Sequence, residues 1–176
     1  EGRQALDIAA RILRHAGVEM NHHEIKEIVD QKNKLFRSTQ RSAVYTEIPR
    51  ILASAEQQGF KIALVTGTLD ENVRSVVHPA IYDQFATVID GHAVRKGKPA
   101  PDPYLKAAEN LGLHASECVV VENAPMGILS AKAAGMFCIA VCTTLPGEQL
   151  KEADVKVLNH RELLAFLEQS VFNSGH

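Results

Sequence analysis

Three short stretches of this 176-residue chain carry residue types suited to phosphate chemistry, and each follows an apolar run. The first is Thr66-Gly67-Thr68, after Lys61-Ile62-Ala63-Leu64-Val65. A hydroxyl beside a glycine and a helix start can hold a phosphate through Oγ and backbone N–H groups. The competing reading is a threonine that only caps the helix. The second is Lys96-Gly97-Lys98-Pro99-Ala100-Pro101-Asp102-Pro103. Prolines beside Lys98 restrict the backbone, and an ammonium held in place stabilises charge on a transferring phosphoryl group. The competing reading is a solvated loop capped by Asp102. The third is Glu122-Asn123-Ala124-Pro125, where a carboxylate beside an amide oxygen suits a hard cation such as Mg2+. The competing reading makes Asn123 part of a helix cap ahead of Pro125.

These residues need elements to position them. From about residue 45 the chain alternates helix and strand. A helix carries Ile48, Ile51, Leu52 and Ala55, and the run 61–65 reads as a buried strand. A helix over about 70–78, a strand near 86–89 and a helix opened by Asp102-Pro103 and closed by Gly112 follow. Then come a strand over 118–121, a helix from Pro125 to Ala134, a strand from Phe137 to Val141 and a weak strand near Val155–Val157. A helix over about 160–169 ends the series, and Ser170–His176 reads as a frayed end. This alternation predicts an α/β fold, a Rossmann-like parallel sheet covered by helices. Ligands of such sheets bind outside the carboxyl ends of the strands, where all three stretches fall.

Residues 1–44 read differently. Ala5, Ile8, Ile12 and Ala16 recur at helical spacing and Gly17 is placed to end that helix. Asn21 and Glu24 have the spacing of a capping box for a second helix. No strand is expected here, so the chain divides into a helical part, 1–44, and an α/β core, 45–176.

Composition excludes several functions. Net charge is −2 with both signs interspersed, so no basic stripe points to nucleic acid. No apolar run reaches the ~20 residues of a membrane span. Cys118, Cys138 and Cys142 all lie in apolar runs and read as buried thiols, in keeping with a reducing cytoplasm.

Taken in order, Thr66 after its strand, Gly97-Lys98-Pro99-Ala100-Pro101-Asp102, and Val120-Val121-Glu122-Asn123-Ala124-Pro125-Met126-Gly127-Ile128 with Ala133-Ala134-Gly135-Met136 resemble motifs two, three and four of the haloacid dehalogenase superfamily. The likeness is greatest to its β-phosphoglucomutase and phosphatase branch, and it covers nearly the whole chain. It implies Mg2+-dependent phosphoryl transfer on a small phosphorylated metabolite such as a sugar phosphate. By that likeness Thr66, with Gly67 and Thr68, would bind the transferring phosphoryl group. Lys98 would bridge it to the nucleophile, and Glu122 and Asn123 would hold Mg2+. Residues 1–44 would be the inserted helical cap, with Lys32 and Arg3 as substrate contacts.

The chain departs from the pattern in three places. No Asp-x-Asp occurs anywhere in it, and Asp90-Gly91 follows the wrong strand to supply the opening motif. The last motif reads Glu122-Asn123 where Glu-Asp is common, which removes one charge from a cation site. Leu69 stands where the mutases carry lysine, which speaks against a mutase. In this family the first aspartate attacks phosphorus and the second acts as acid and base. The expectation is therefore a fragment of a phosphatase or phosphomutase that does not turn over alone. A pseudo-enzyme that keeps the phosphate site is the alternative, and a metal-free dehalogenase is a third reading that Glu122 opposes. A geometric expectation follows. The family's missing strand lies between those at 61–65 and 118–121, so its absence leaves a gap of about 10 Å between them, unless the two pair directly or another segment fills it.

Overall fold

The computed structural model describes residues 5–39 and 44–172. Arg3 lies outside them, as does the end of the chain, 173–176. Two helices open the chain, α1 (Ala5–His15) and α2 (His22–Thr39), and they pack on each other. Gly17 follows α1 at φ 72°, a backbone angle that favours glycine. The expected capping box is formed at the start of α2. Asn21 N–H donates to Glu24 Oε2 at 2.7 Å and Glu24 N–H donates to Asn21 Oδ1 at 3.1 Å.

The remaining elements are α3 (Ile48–Gln57), β1 (Ala63–Val65), α4 (Asp70–Val76), α5 (Pro79–Tyr82), β2 (Thr87–Ile89), α6 (Asp102–Leu111), β3 (Val119–Glu122), α7 (Pro125–Ala133), β4 (Phe137–Val141), β5 (Val155–Val157) and α8 (His160–Ser170). The single helix expected over 70–78 is two. Pro79 lacks the N–H that would continue the first, so the chain turns at Val77-His78 and restarts. The strand expected over 61–65 is shorter, spanning Ala63–Val65, although Ile62 O still accepts the Ala86 N–H at 2.8 Å just ahead of it. Of the frayed end expected over Ser170–His176, residues 173–176 lie outside the described residues, and the described part is packed. Helix α8 runs through Ser170, and Phe172 is buried against Phe60.

All strand pairs are parallel. β1 pairs with β2, and β4 pairs with both β3 and β5. Among the described residues no ladder joins β1 to β3, so the direct pairing that would have closed the sheet is not formed. Side-chain alternation explains the layers around β4. Cys138 and Ala140 point into a core with Tyr104 and Ala108 of α6 and Ile128 and Ala131 of α7. Ile139 and Val141 point the other way, into a core with Ile51 and Ala55 of α3 and Leu163, Leu164 and Leu167 of α8. β3 is covered on one face only: Val120 is buried, whereas Val119 and Val121 are exposed. Asp154 ties this region together. Its carboxylate pairs with Lys132 of α7 at 2.7 Å and accepts the Cys138 N–H at 2.8 Å.

Of the three thiols, only Cys138 is buried. Cys118 and Cys142 flank β3 and β4 just outside the strands and are half-buried, so the expectation of three buried thiols holds for one. All three are free. No described helix is long and apolar enough to cross a membrane.

Candidate active site

Thr66, Lys98 and Glu122 each come from the carboxyl end of a strand or the loop after it, and two of them meet. Thr66 N–H extends the β1–β2 ladder by donating to Ile89 O at 2.8 Å. Its hydroxyl then accepts the Thr68 N–H at 3.1 Å, which curls Thr66-Gly67-Thr68 into a turn ahead of α4. The turn is braced from β2. Asp90 accepts the Asp70 N–H at 3.1 Å on Oδ2 and the His92 N–H at 2.9 Å on Oδ1. Gly91 lies so close to this loop that a Cβ there would stand 2.6 Å from Gly67 O. Asp90 and Gly91 therefore support the loop, although their place in the sequence suggests only an opening motif on the wrong strand. The usable signal was a glycine at the end of the neighbouring strand.

Lys98 is buried, unusual for a lysine. Its ammonium donates to Val65 O at 3.1 Å and to Glu122 Oε1 at 2.5 Å, so it bridges the ends of β1 and β3 across the unpaired gap. The loop that carries it is pinned from α7, where the fully buried Ser130 hydroxyl donates to Ala100 O. Thr66, Gly67, Asp90, Gly91, Gly97 and Lys98 line one narrow pocket, with Val94 and Pro103.

Glu122 sits under the Lys98 ammonium. Oε1 also accepts the Tyr104 hydroxyl at 2.7 Å, and Oε2 accepts the backbone N–H groups of Asn123 and Ala124 at 2.9 and 3.1 Å. Burial by itself would raise this carboxyl, but the Lys98 charge and the hydrogen bonds from Lys98, Tyr104 and Asn123 outweigh it and hold Glu122 below the ordinary carboxylate range. Burial and the neighbouring Glu122 charge push the Tyr104 phenol upward, so it stays a donor. Room for the carboxylate comes from Gly127, where a Cβ would fall 1.9 Å from Oε1.

A cation at Glu122 meets a difficulty. A carboxylate offers about four acceptor positions, and four donors already take them. Asn123 adds an amide whose Nδ2 donates to Thr144 Oγ1 at 3.2 Å. Among the described residues no group of three or more His, Cys, Asp or Glu converges. Mg2+ prefers near-octahedral oxygen ligation, and these donors do not amount to such a site.

Lys32 is exposed on α2 and is not among the residues lining the pocket. Its neighbour Asn33 is buried instead. Asn72 of α4 donates to Asn33 Oδ1 at 3.1 Å, and Arg37 donates to Asn72 Oδ1 at 2.8 Å and to Glu71 at 2.7 Å. This contact docks α2 on the helix that follows the Thr66 turn.

Comparison with known proteins places this geometry. The protein CbbY of Cupriavidus necator is 32% identical over 117 residues, 64% of this chain and 46% of that protein. The β-phosphoglucomutase of Bacillus subtilis is 32% identical over 117 residues, 66% of this chain and 50% of the enzyme. The chain thus spans about half the length of these relatives. Among solved structures, CbbY from Rhodobacter sphaeroides in complex with phosphate superposes with a TM-score of 0.81 at 26% identity, covering 92% of this chain and 75% of that one. The haloacid dehalogenase-like hydrolase family matches over residues 8–141, which run from within α1 to the end of β4 and take in all three strand-end stretches. The chain belongs to that family of haloacid dehalogenase-like hydrolases.

Proposed function

We propose that this chain carries the phosphate-holding part of a phosphatase site that acts on a small phosphorylated metabolite of the sugar-phosphate class. The observation that carries the reading is Lys98. Its buried ammonium is fixed by Val65 O and Glu122, and Lys98 lines the same pocket as Thr66 and Gly67. An ammonium and a hydroxyl in a partly desolvated pocket neutralise phosphoryl oxygens more strongly than in water. Relatives named as phosphate-bound CbbY and hexitol phosphatase A support the substrate class.

The reading includes what the chain lacks. Asp90 is the one carboxylate lining the pocket, and each of its oxygens accepts a backbone N–H. In-line attack on phosphorus then needs a carboxylate that these residues do not provide. We place it on a strand filling the gap between β1 and β3, and α1–α2 would act as a helical cap over it. Mg2+, which the family resemblance implies, would supply charge neutralisation. Glu122 and Asn123 are its nearest donors here, but they fall short of a site, so no step is assigned to the metal. Three free thiols fit a reducing, cytoplasmic setting.

A non-catalytic phosphate-binding protein is the second reading, favoured by the absence of any Asp-x-Asp from the sequence. A phosphomutase is a weaker third, opposed by Leu69 next to Thr68. The deciding experiment has two arms. Inorganic phosphate is titrated into the 176-residue chain, and release from sugar phosphates and phosphoglycolate is assayed with this chain and with a longer form bearing an aspartate strand. Binding without turnover by the chain, and turnover by the longer form, is expected. Turnover by the chain alone refutes the assignment. Binding by both without turnover by either favours the second reading.

A further inference from the structure

Tyr104 belongs to none of the three stretches, yet it touches the centre of the site. It lies in the first turn of α6, directly after the loop that carries Lys98, and is 5% exposed. Its ring is part of the core with Ile128 and Cys138, which any aromatic residue of that size would fill. The hydroxyl does more than fill space. It donates to Glu122 Oε1, the same oxygen that accepts Lys98, and the ring centroid lies 4.9 Å from Lys98 Nζ.

Four donors on Glu122 mean that the carboxylate cannot rotate without orphaning one of them in a buried setting, which is costly. The phenol thus locks the carboxylate, and the carboxylate locks the ammonium. An ammonium has three N–H groups. Two are assigned, to Val65 O and Glu122, and fixing them fixes the third. We propose that Tyr104 is a positioning residue, whose hydroxyl acts through Glu122 to aim the remaining Lys98 N–H at the phosphate pocket. The proposal rests on the phosphate reading of that pocket and adds a residue to its machinery.

Proton exchange of the Lys98 ammonium tests it, read by 1H–15N correlation on lysine-labelled chain and assigned with Lys98→Arg. Tyr104→Phe keeps the ring and removes only the hydroxyl. In the unaltered chain Lys98 is expected to give a slowly exchanging signal. In Tyr104→Phe its exchange with water should quicken about tenfold, the scale of one lost charged hydrogen bond. The other lysine signals should stay in place. A folded Tyr104→Phe chain with unchanged Lys98 exchange overturns the proposal, as does a Lys98 signal already averaged with solvent in the unaltered chain. A second measurement needs no variant. The Tyr104 hydroxyl proton should be protected and show cross-relaxation to the Lys98 ammonium, and a phenolic proton exchanging at the solvent rate overturns the proposal equally. Titration with inorganic phosphate separates the two layers. An ordered Lys98 signal that ignores phosphate supports the positioning role and removes the phosphate reading beneath it.

Discussion

Replacing Gly127 with alanine sets two effects of opposite sign against each other. Gly127 lies inside α7, where alanine is favoured over glycine by about 1 kcal/mol on helix propensity alone. Nothing in its backbone angles demands glycine, since its φ is not among the positive ones. The added Cβ, however, would stand 1.9, 2.0 and 2.5 Å from Oε1, Cδ and Oε2 of Glu122. Those atoms belong to a side chain held by four donors, so it cannot step aside and keep its partners. Expelling it leaves the Lys98 ammonium buried with only Val65 O, and breaking a buried pair in this way costs about 3–5 kcal/mol. The net expectation for Gly127→Ala is a loss of roughly 2–4 kcal/mol, read from the midpoint and slope of urea unfolding. In a Glu122→Ala background the collision is gone, and the same substitution should be neutral or stabilise by up to about 1 kcal/mol. The difference between the two backgrounds is the coupling of a double-mutant cycle. An unchanged or raised stability for Gly127→Ala in the parent chain would show that Glu122 is not locked where described.

The acid limb of the stability curve should depend on Asp154. Burial raises this carboxyl, but hydrogen bonds from Lys132 and the Cys138 N–H overcome that and depress it below its ordinary 3.8. A depressed carboxyl stabilises the fold above its unfolded value and loses that contribution as pH falls through the folded one. Asp154→Asn should therefore flatten the stability–pH curve below about pH 4, and urea midpoints from pH 6 to 2.5 check it. Lys98→Met should weaken inorganic phosphate binding about tenfold or more, the scale of a charged hydrogen bond, whereas Lys32→Ala should change it little because Lys32 lies outside the pocket lining. Calorimetric titration of both variants decides this, and equal losses would redraw the site. Asn72→Ala strands Asn33 Oδ1 and one Arg37 donor in a buried contact, and should lower thermal stability by about 1–3 kcal/mol.

The strand ends were legible in the sequence because turn residues and apolar runs mark them. Thr66 and Glu122 fall directly at β1 and β3, and β4 and β5 were bounded correctly by their β-branched runs and flanking glycines and acids. What escaped notice depends on contacts between elements. Tyr104 looks in sequence like one more apolar position of an amphipathic helix, and only the packing of α6 against β3 brings its hydroxyl to Glu122. Gly127 looks like a weak spot in a helix until the space it leaves is seen to be occupied. Lys32 was singled out by likeness alone, and the helix turns its neighbour Asn33 inward instead. The residue type of Glu122 suits a cation, and the four donors that its oxygens accept from are not visible in the sequence.

The lack of a ladder between β1 and β3 also bears on how the protein opens. Hydrogen-bond ladders make neighbouring strands melt together, and here that link is missing at one point. The β1–β2 pair with α4 is joined to the β3–β4–β5 sheet by α6, whose core packing spans both, and by the Lys98 bridge. Such a division favours separate cooperative units over a single all-or-none transition. Amides of Leu64 and Val65 should then exchange with solvent at a lower free energy of opening than those of Ile139 and Ala140, which are fully buried in the doubly paired β4. Of the two units, the one that carries Thr66 thereby has less to lose by moving, and a strand bound in the gap would fuse the two into one.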